Sequence, residues 1–120
     1  MSRDLQEHRL YLAADTSEII GFAAVQPKNS QVAEISWMAV KPKYQHQGIG
    51  TQLINQVVDD LKAEGVRLLE VKTLASTVDY APYALTRRFY ESRGFVHLET
   101  IDPFPGWEPG NPCAIFVKVV

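Results

Sequence analysis

Cysteine is nearly absent: Cys113 stands alone among 120 residues. No internal disulfide can form and no thiolate cluster is on offer for a metal, so a reducing cytoplasm is the expected setting. A basic excess is missing too. The formal net charge is −2, which argues against nucleic acid or an anionic membrane surface as a partner. No apolar run approaches the roughly 20 residues needed to cross a bilayer. The opening stretch from Met1 to His8 is polar and lacks the apolar segment of a secretory leader. Internal repeats, linkers and low-complexity tracts are lacking as well, so a single domain over 1–120 is expected.

What is present is the balance of a folded globular chain, 46% apolar against 22% charged. His8 to Ala14 and Ile19 to Val25 are apolar runs separated by Asp15-Thr16-Ser17-Glu18, the pattern of a β-hairpin. Ala33 to Val40 predicts a third strand that stops at Lys41-Pro42. From Ile49 the period changes: Ile49, Leu53, Val57 and Leu61 recur four apart, with Ile54 and Val58 beside them. That is an amphipathic helix, ended by Gly65 as its C′ residue. Val66 to Thr73 predicts a strand parallel to the third one, reached by a right-handed crossover. A second helix is expected from Pro82 to Arg93 with Gly94 behind it, then strands at Phe95 to Ile101 and Ala114 to Val120. The connector from Asp102 to Pro112 holds four of the seven prolines and predicts no regular structure. The order βββαβαββ describes an α/β domain with a mixed sheet flanked by helices.

Between the third strand and the first helix lies Gln45-His46-Gln47-Gly48-Ile49-Gly50. The first turn of a helix leaves N–H groups without partners and carries partial positive charge, so it attracts phosphate. Glycine at 48 and 50 keeps side chains out of the approach, and Gln45 and Gln47 add neutral donors. Two familiar phosphate loops do not fit. No Lys follows these glycines as a Walker loop requires, and Leu53 occupies the third glycine position of the dinucleotide fingerprint. The plainer alternative is a tight strand-to-helix turn.

Gln45-x-x-Gly48-x-Gly50 matches the [QR]-x-x-G-x-[GA] signature of the GCN5-related N-acetyltransferases. Upstream, Trp37-Met38-Ala39-Val40-Lys41-Pro42-Lys43-Tyr44 is similar to that family's approach to the loop, and Phe89-Tyr90-Glu91-Ser92-Arg93-Gly94-Phe95 resembles its F-Y-E-x-x-G-F segment. The resemblance runs from about residue 8 to the end of the sequence. It departs in one respect: the family usually opens with a strand and two helices that wall the acceptor site, whereas here the hairpin comes first.

The resemblance implies acetyl-CoA as co-substrate, lying where the strand ending at Val40 splays from the strand beginning at Val66. Main-chain groups of Met38, Ala39 and Val40 would pair with the pantetheine amides, and one N–H would hold the oxyanion. Gln45, His46, Gln47, Gly48, Ile49, Gly50 and Thr51 would take the pyrophosphate. Tyr90 becomes the candidate general acid toward the departing thiolate, with a core tyrosine as the alternative. Glu34 becomes the candidate base toward a primary amine, with a solvated strand-end carboxylate as the alternative. Tyr83 stands where the family often has an asparagine near the cofactor. Arg87, Arg88 and Arg93 read as a solvated basic face or as contacts to the 3′-phosphate. Trp37, Phe104 and Trp107 read as acceptor contacts or as cover for the core or a dimer seam. No metal is expected: His46 has no second His at ligand spacing, and His8 and His97 have no evident partner. The implied activity is acetyl transfer to an amine of a small molecule or protein. A CoA-binding regulatory module without activity is the alternative, and a homodimer would cover exposed sheet edges.

Overall fold

The computed structural model describes residues 9–75 and 81–120, leaving the side chains of 74 and 81–84 outside that description. Strand β1 (Arg9–Ala14) and strand β2 (Ile19–Pro27) form the expected hairpin, and β2 pairs antiparallel with β3 (Val32–Val40). A 3-10 turn at Pro42–Tyr44 leads to helix α1 (Ile49–Ala63), and β4 (Leu68–Leu74) follows. Helix α2 (Ala81–Ser92), β5 (Val96–Ile101) and β6 (Cys113–Val119) complete the chain. The strands hydrogen-bond in the order β1-β2-β3-β4-β6-β5, the mixed sheet the sequence predicts. The contacts resolve into two compact units: residues up to Leu69 with Val120, and Glu70–Val119.

In the first unit, pairing decides which side chains share a face. Tyr11 pairs with Ala23 and Ala23 with Met38, while Val25 pairs with Ile35 and Gly21 with Val40. This face receives the buried stripe of α1, made by Leu53, Ile54, Val57 and Leu61. Two clamps fix β1 to the helix: Tyr11 donates its hydroxyl to Asp60 at 2.9 Å, and Arg9 makes a two-pronged contact with Glu64 at 2.8 and 2.9 Å. The other face pairs Leu10, Ala24 and Trp37 in one row and Leu12, Phe22 and Ala39 in the next. Leu10, Leu12 and Trp37 are exposed there. Arg67 and Leu68 both give backbone N–H groups to Gln31 O, so β4 starts beside the start of β3.

One residue of β3 has no place in the register. Trp37 lies opposite Ala24 and Ile35 opposite Val25, which leaves Ser36 as a bulge. The Ser36 hydroxyl is buried and has no hydrogen-bond partner among the described residues. A bulge shifts the strand by one, so that Met38 and Val40, rather than Trp37 and Ala39, continue the face that began with Ala33 and Ile35.

In the second unit, Val71 and Thr73 of β4, Tyr90 of α2, Phe95, and Cys113 to Phe116 of β6 are buried. Gly94 has φ +92 and stops α2 as anticipated, and Lys118 caps the helix by donating to Arg93 O at 2.7 Å. Another bulge falls in β5 between His97 and Glu99.

Candidate active site

Helix α1 begins without the usual equipment. Its N-cap is Gly48 at φ 84 and ψ 4, with no capping side chain and no acidic residue in the first turn. Most helices satisfy their first N–H groups with Ser, Thr, Asp or Asn and place a carboxylate near the positive end. Here the helix start has neither. A Cβ built on Gly48 would meet nothing within 4 Å, so the glycine faces open space. Its positive φ, not crowding, is the local demand for glycine.

The loop before it is braced on itself. Gln45 donates its side-chain amide to Val40 O at 3.0 Å, and Gln47 donates to Lys43 O at 3.3 Å. These side chains therefore shape the loop with donors that the sequence suggested for an anion. His46 adopts φ 65, an uncommon value outside glycine, in the residue ahead of the second glutamine. It thus contributes through the course of its backbone.

A second brace lies one step upstream and was not legible in the sequence. Tyr44 donates its hydroxyl to Asp15 at 2.7 Å, and Lys41 reaches Glu18 at 2.7 Å. The hairpin turn thereby holds the segment that enters the loop. Hydrogen bonding to Asp15 pushes the Tyr44 phenol up to about 12. Tyr44 in turn holds Asp15 below the usual carboxylate range, and Lys41 does the same for Glu18. Gly21 is the other missed residue. A Cβ there would lie 3.1 Å from Ala39 O, 3.3 Å from Val40 and 3.4 Å from Ile49. A glycine inside an apolar strand was the available signal for such a close approach.

Met38, Ala39 and Val40 sit after the bulge, paired on one side with Ala23, Phe22 and Gly21. Glu34 is not a solvated strand end. It is buried, 7% exposed, with Lys28 Nζ 3.7 Å from its carboxylate. Glu34, Met38 to Val40 and the loop all belong to the first unit.

Tyr90 belongs to the second unit, where it is 7% exposed and sits edge-on to Phe89 and Phe95 at 5.4 and 5.3 Å. Burial pushes its phenol up to about 12. Of the remaining candidates, Arg93 lies over the Phe89 ring at 4.7 Å, and Trp107 packs on Phe104 at 5.4 Å within their own loop. His97 does have a partner: its Nε2 is 2.9 Å from the Thr100 hydroxyl. His8 and the side chain of Tyr83 lie outside the description.

The result is a mixed-sheet α/β fold in which a bulged strand leads through a braced loop into a glycine-started helix. Comparison with known proteins places it. The family model for the acetyltransferase (GNAT) domain matches residues 6–97, and the chain belongs to that family. Its reaction class is acetyl transfer. A GNAT-family acetyltransferase from Desulfovibrio desulfuricans is 30% identical with a TM-score of 0.83, over 94% of this chain and 69% of that one. A GNAT acetyltransferase from Elizabethkingia anophelis, solved with acetyl-CoA bound, is 27% identical with a TM-score of 0.80, over 98% and 80%. The ribosomal-protein-S18-alanine N-acetyltransferase of Escherichia coli is 26% identical with a TM-score of 0.75, over 96% and 70%.

Proposed function

We propose that this protein moves the acetyl group of acetyl-CoA to a primary amine by direct attack. The observation that carries the reading is the uncapped start of α1 at Gly48, a positive helix end that the chain itself leaves unneutralised. The pyrophosphate would rest on the N–H groups of Ile49, Gly50 and Thr51, within the loop from Gln45. Pantetheine would run along Met38, Ala39 and Val40, where a main-chain N–H receives the oxyanion of the tetrahedral intermediate. The Elizabethkingia relative supports acetyl-CoA as the donor.

The attacking amine must lose a proton. A lysine-like amine has a pKa near 10.4, so roughly one molecule in a few thousand is neutral at pH 7. Glu34 is the proposed acceptor of that proton, directly or through water, with Lys28 beside it to carry the opposite charge. Tyr90 is the proposed donor to the leaving sulfur. With its phenol pushed up to about 12, against about 8.5 for a free thiol, full transfer of its proton runs uphill. Its contribution is then a hydrogen bond to the developing thiolate, from a group that stays protonated at every working pH. Trp37, 72% exposed on the apolar sheet face, offers a ring on which the acceptor's body or cation stacks.

Free-thiol release from acetyl-CoA over a panel of primary amines tests the reading. Amine-dependent release is expected, and its absence with every amine, from polyamines to peptide N-termini, would leave only a CoA-binding module.

A further inference from the structure

The second unit carries a depression lined by none of the residues proposed above to hold the donor. It holds about 270 Å³ and is lined by Arg87, Arg88 and Glu91 of α2, His97 and Thr100 of β5, and the β6 residues Ala114 and Phe116. We propose that it binds a free α-amino acid, taking the carboxylate on Arg88 and the ammonium on Glu91.

The bulge in β5 is what builds it. Three positions apart on a regular strand, His97 and Thr100 would point to opposite faces. The register runs His97 to Phe116, then Glu99 to Ile115, then Thr100 to Ala114, so Leu98 is the extra residue. The insertion returns Thr100 to the face of His97, where the two side chains join at 2.9 Å over Phe116 and Ala114. The His97 ring also packs on Phe116 with centroids 5.3 Å apart. An apolar and aromatic floor results, edged by a hydroxyl and an imidazole.

The opposite rim carries both signs of charge. Arg88 and Glu91 are three apart on α2, and Arg87 and Glu91 four apart, so all three share one helix face. At that spacing a guanidinium and a carboxylate commonly close on each other. Yet among the described residues neither Arg88 nor Glu91 is held in an ion pair. Their side chains spring from Cβ atoms about 5–6 Å apart on the helix, so a zwitterionic head group in the depression meets both signs of charge on one rim. A simple anion would meet the Glu91 carboxylate, and a simple amine would meet the arginines. A zwitterion satisfies both, with its apolar side chain toward Phe116.

Melting of the protein without acetyl-CoA tests this, with L-phenylalanine and L-leucine as probes. A saturable upward shift is expected with both. 2-Phenylethylamine, which lacks the carboxylate, and N-acetyl-L-phenylalanine, which lacks the ammonium, should bind about tenfold more weakly or worse, the loss of one charge-assisted contact. Arg88→Ala and Glu91→Gln should each weaken L-phenylalanine by a similar factor, while their melting without ligand and their stabilisation by acetyl-CoA stay as in the parent. Three results would overturn the proposal: no saturable shift with either amino acid, equal affinity for the amine or the N-acetyl compound, or loss of acetyl-CoA binding in the two variants. The last result would reassign the arginines to the donor.

Discussion

Tyr90 shows how little a residue's identity says about its chemistry until its surroundings are known. A phenol among Phe89 and Phe95 keeps its proton, because burial penalises the phenolate. Replacing it with Phe preserves the packing and removes only the O–H. Turnover of Tyr90→Phe should fall by about 10- to 100-fold, the worth of one hydrogen bond to a charged group. Acetyl-CoA binding measured by calorimetry should stay within a factor of a few. The pH–rate profile adds a check on sign. Raising the tyrosine's pKa extends the range in which it is protonated, so any alkaline loss assigned to it should centre near 12 and not near 10. Gly48→Ala separates two costs. Open space around the site removes steric blame, but the left-handed φ of 84 remains, and an L side chain there costs roughly 1–2 kcal/mol. Its urea midpoint should drop accordingly, and acetyl-CoA should stabilise it less than the parent. Gly21→Ala differs in cause. Its Cβ would crowd the Ala39 backbone oxygen at 3.1 Å, so the strand pair must give by a few tenths of an ångström, and overpacking of this kind costs about 1–3 kcal/mol.

Among the elements, the connection of the β1–β2 turn to the 3-10 turn sets the entrance to the phosphate loop. It consists of exposed charges, so its strength depends on pH. Asp15 and Glu18 have folded values below their ordinary ones, so their contribution is present above the ordinary carboxylate range and fades as pH falls through the lowered values. Tyr44 has the reverse sense: its contribution is full below about 10 and is lost as pH rises toward about 12. Tyr44→Phe removes the chief cause of the Asp15 shift. The acid arm of its stability–pH curve should therefore be shallower than that of the parent, with the two curves converging at low pH. Parallel curves in acid would show that the hydrogen bond does not reach the folding equilibrium.

At the scale of the whole molecule, the donor site is a statement about which ligand stabilises the fold. Acetyl-CoA at a hundred times its dissociation constant should add about 2.7 kcal/mol to the unfolding free energy. ATP and NAD should add far less, since the loop has neither the Walker lysine nor the third dinucleotide glycine. Equal stabilisation by all three would demote the loop to a general phosphate site. No helix among the described residues is long and apolar enough to cross a membrane.

The sequence by itself determined the elements, their order and the donor. Apolar periods of two and four, Gly65 and Gly94 at helix ends, and Gly48 in a positive-φ cap are local demands that the chain satisfies by its own composition. Strand limits moved by a residue or two, because the last pairing depends on the neighbouring strand and not on the run itself. What only the tertiary structure decided were events between distant residues. The bulges at Ser36 and Leu98 are one-residue offsets between partners, invisible in either strand alone. Likewise, the burial of Glu34, the hold of Asp15 on Tyr44 and the turning of Gln45 and Gln47 onto backbone carbonyls follow from which chain segments meet. A sequence states what each residue can offer; only the assembled chain decides which partner receives it.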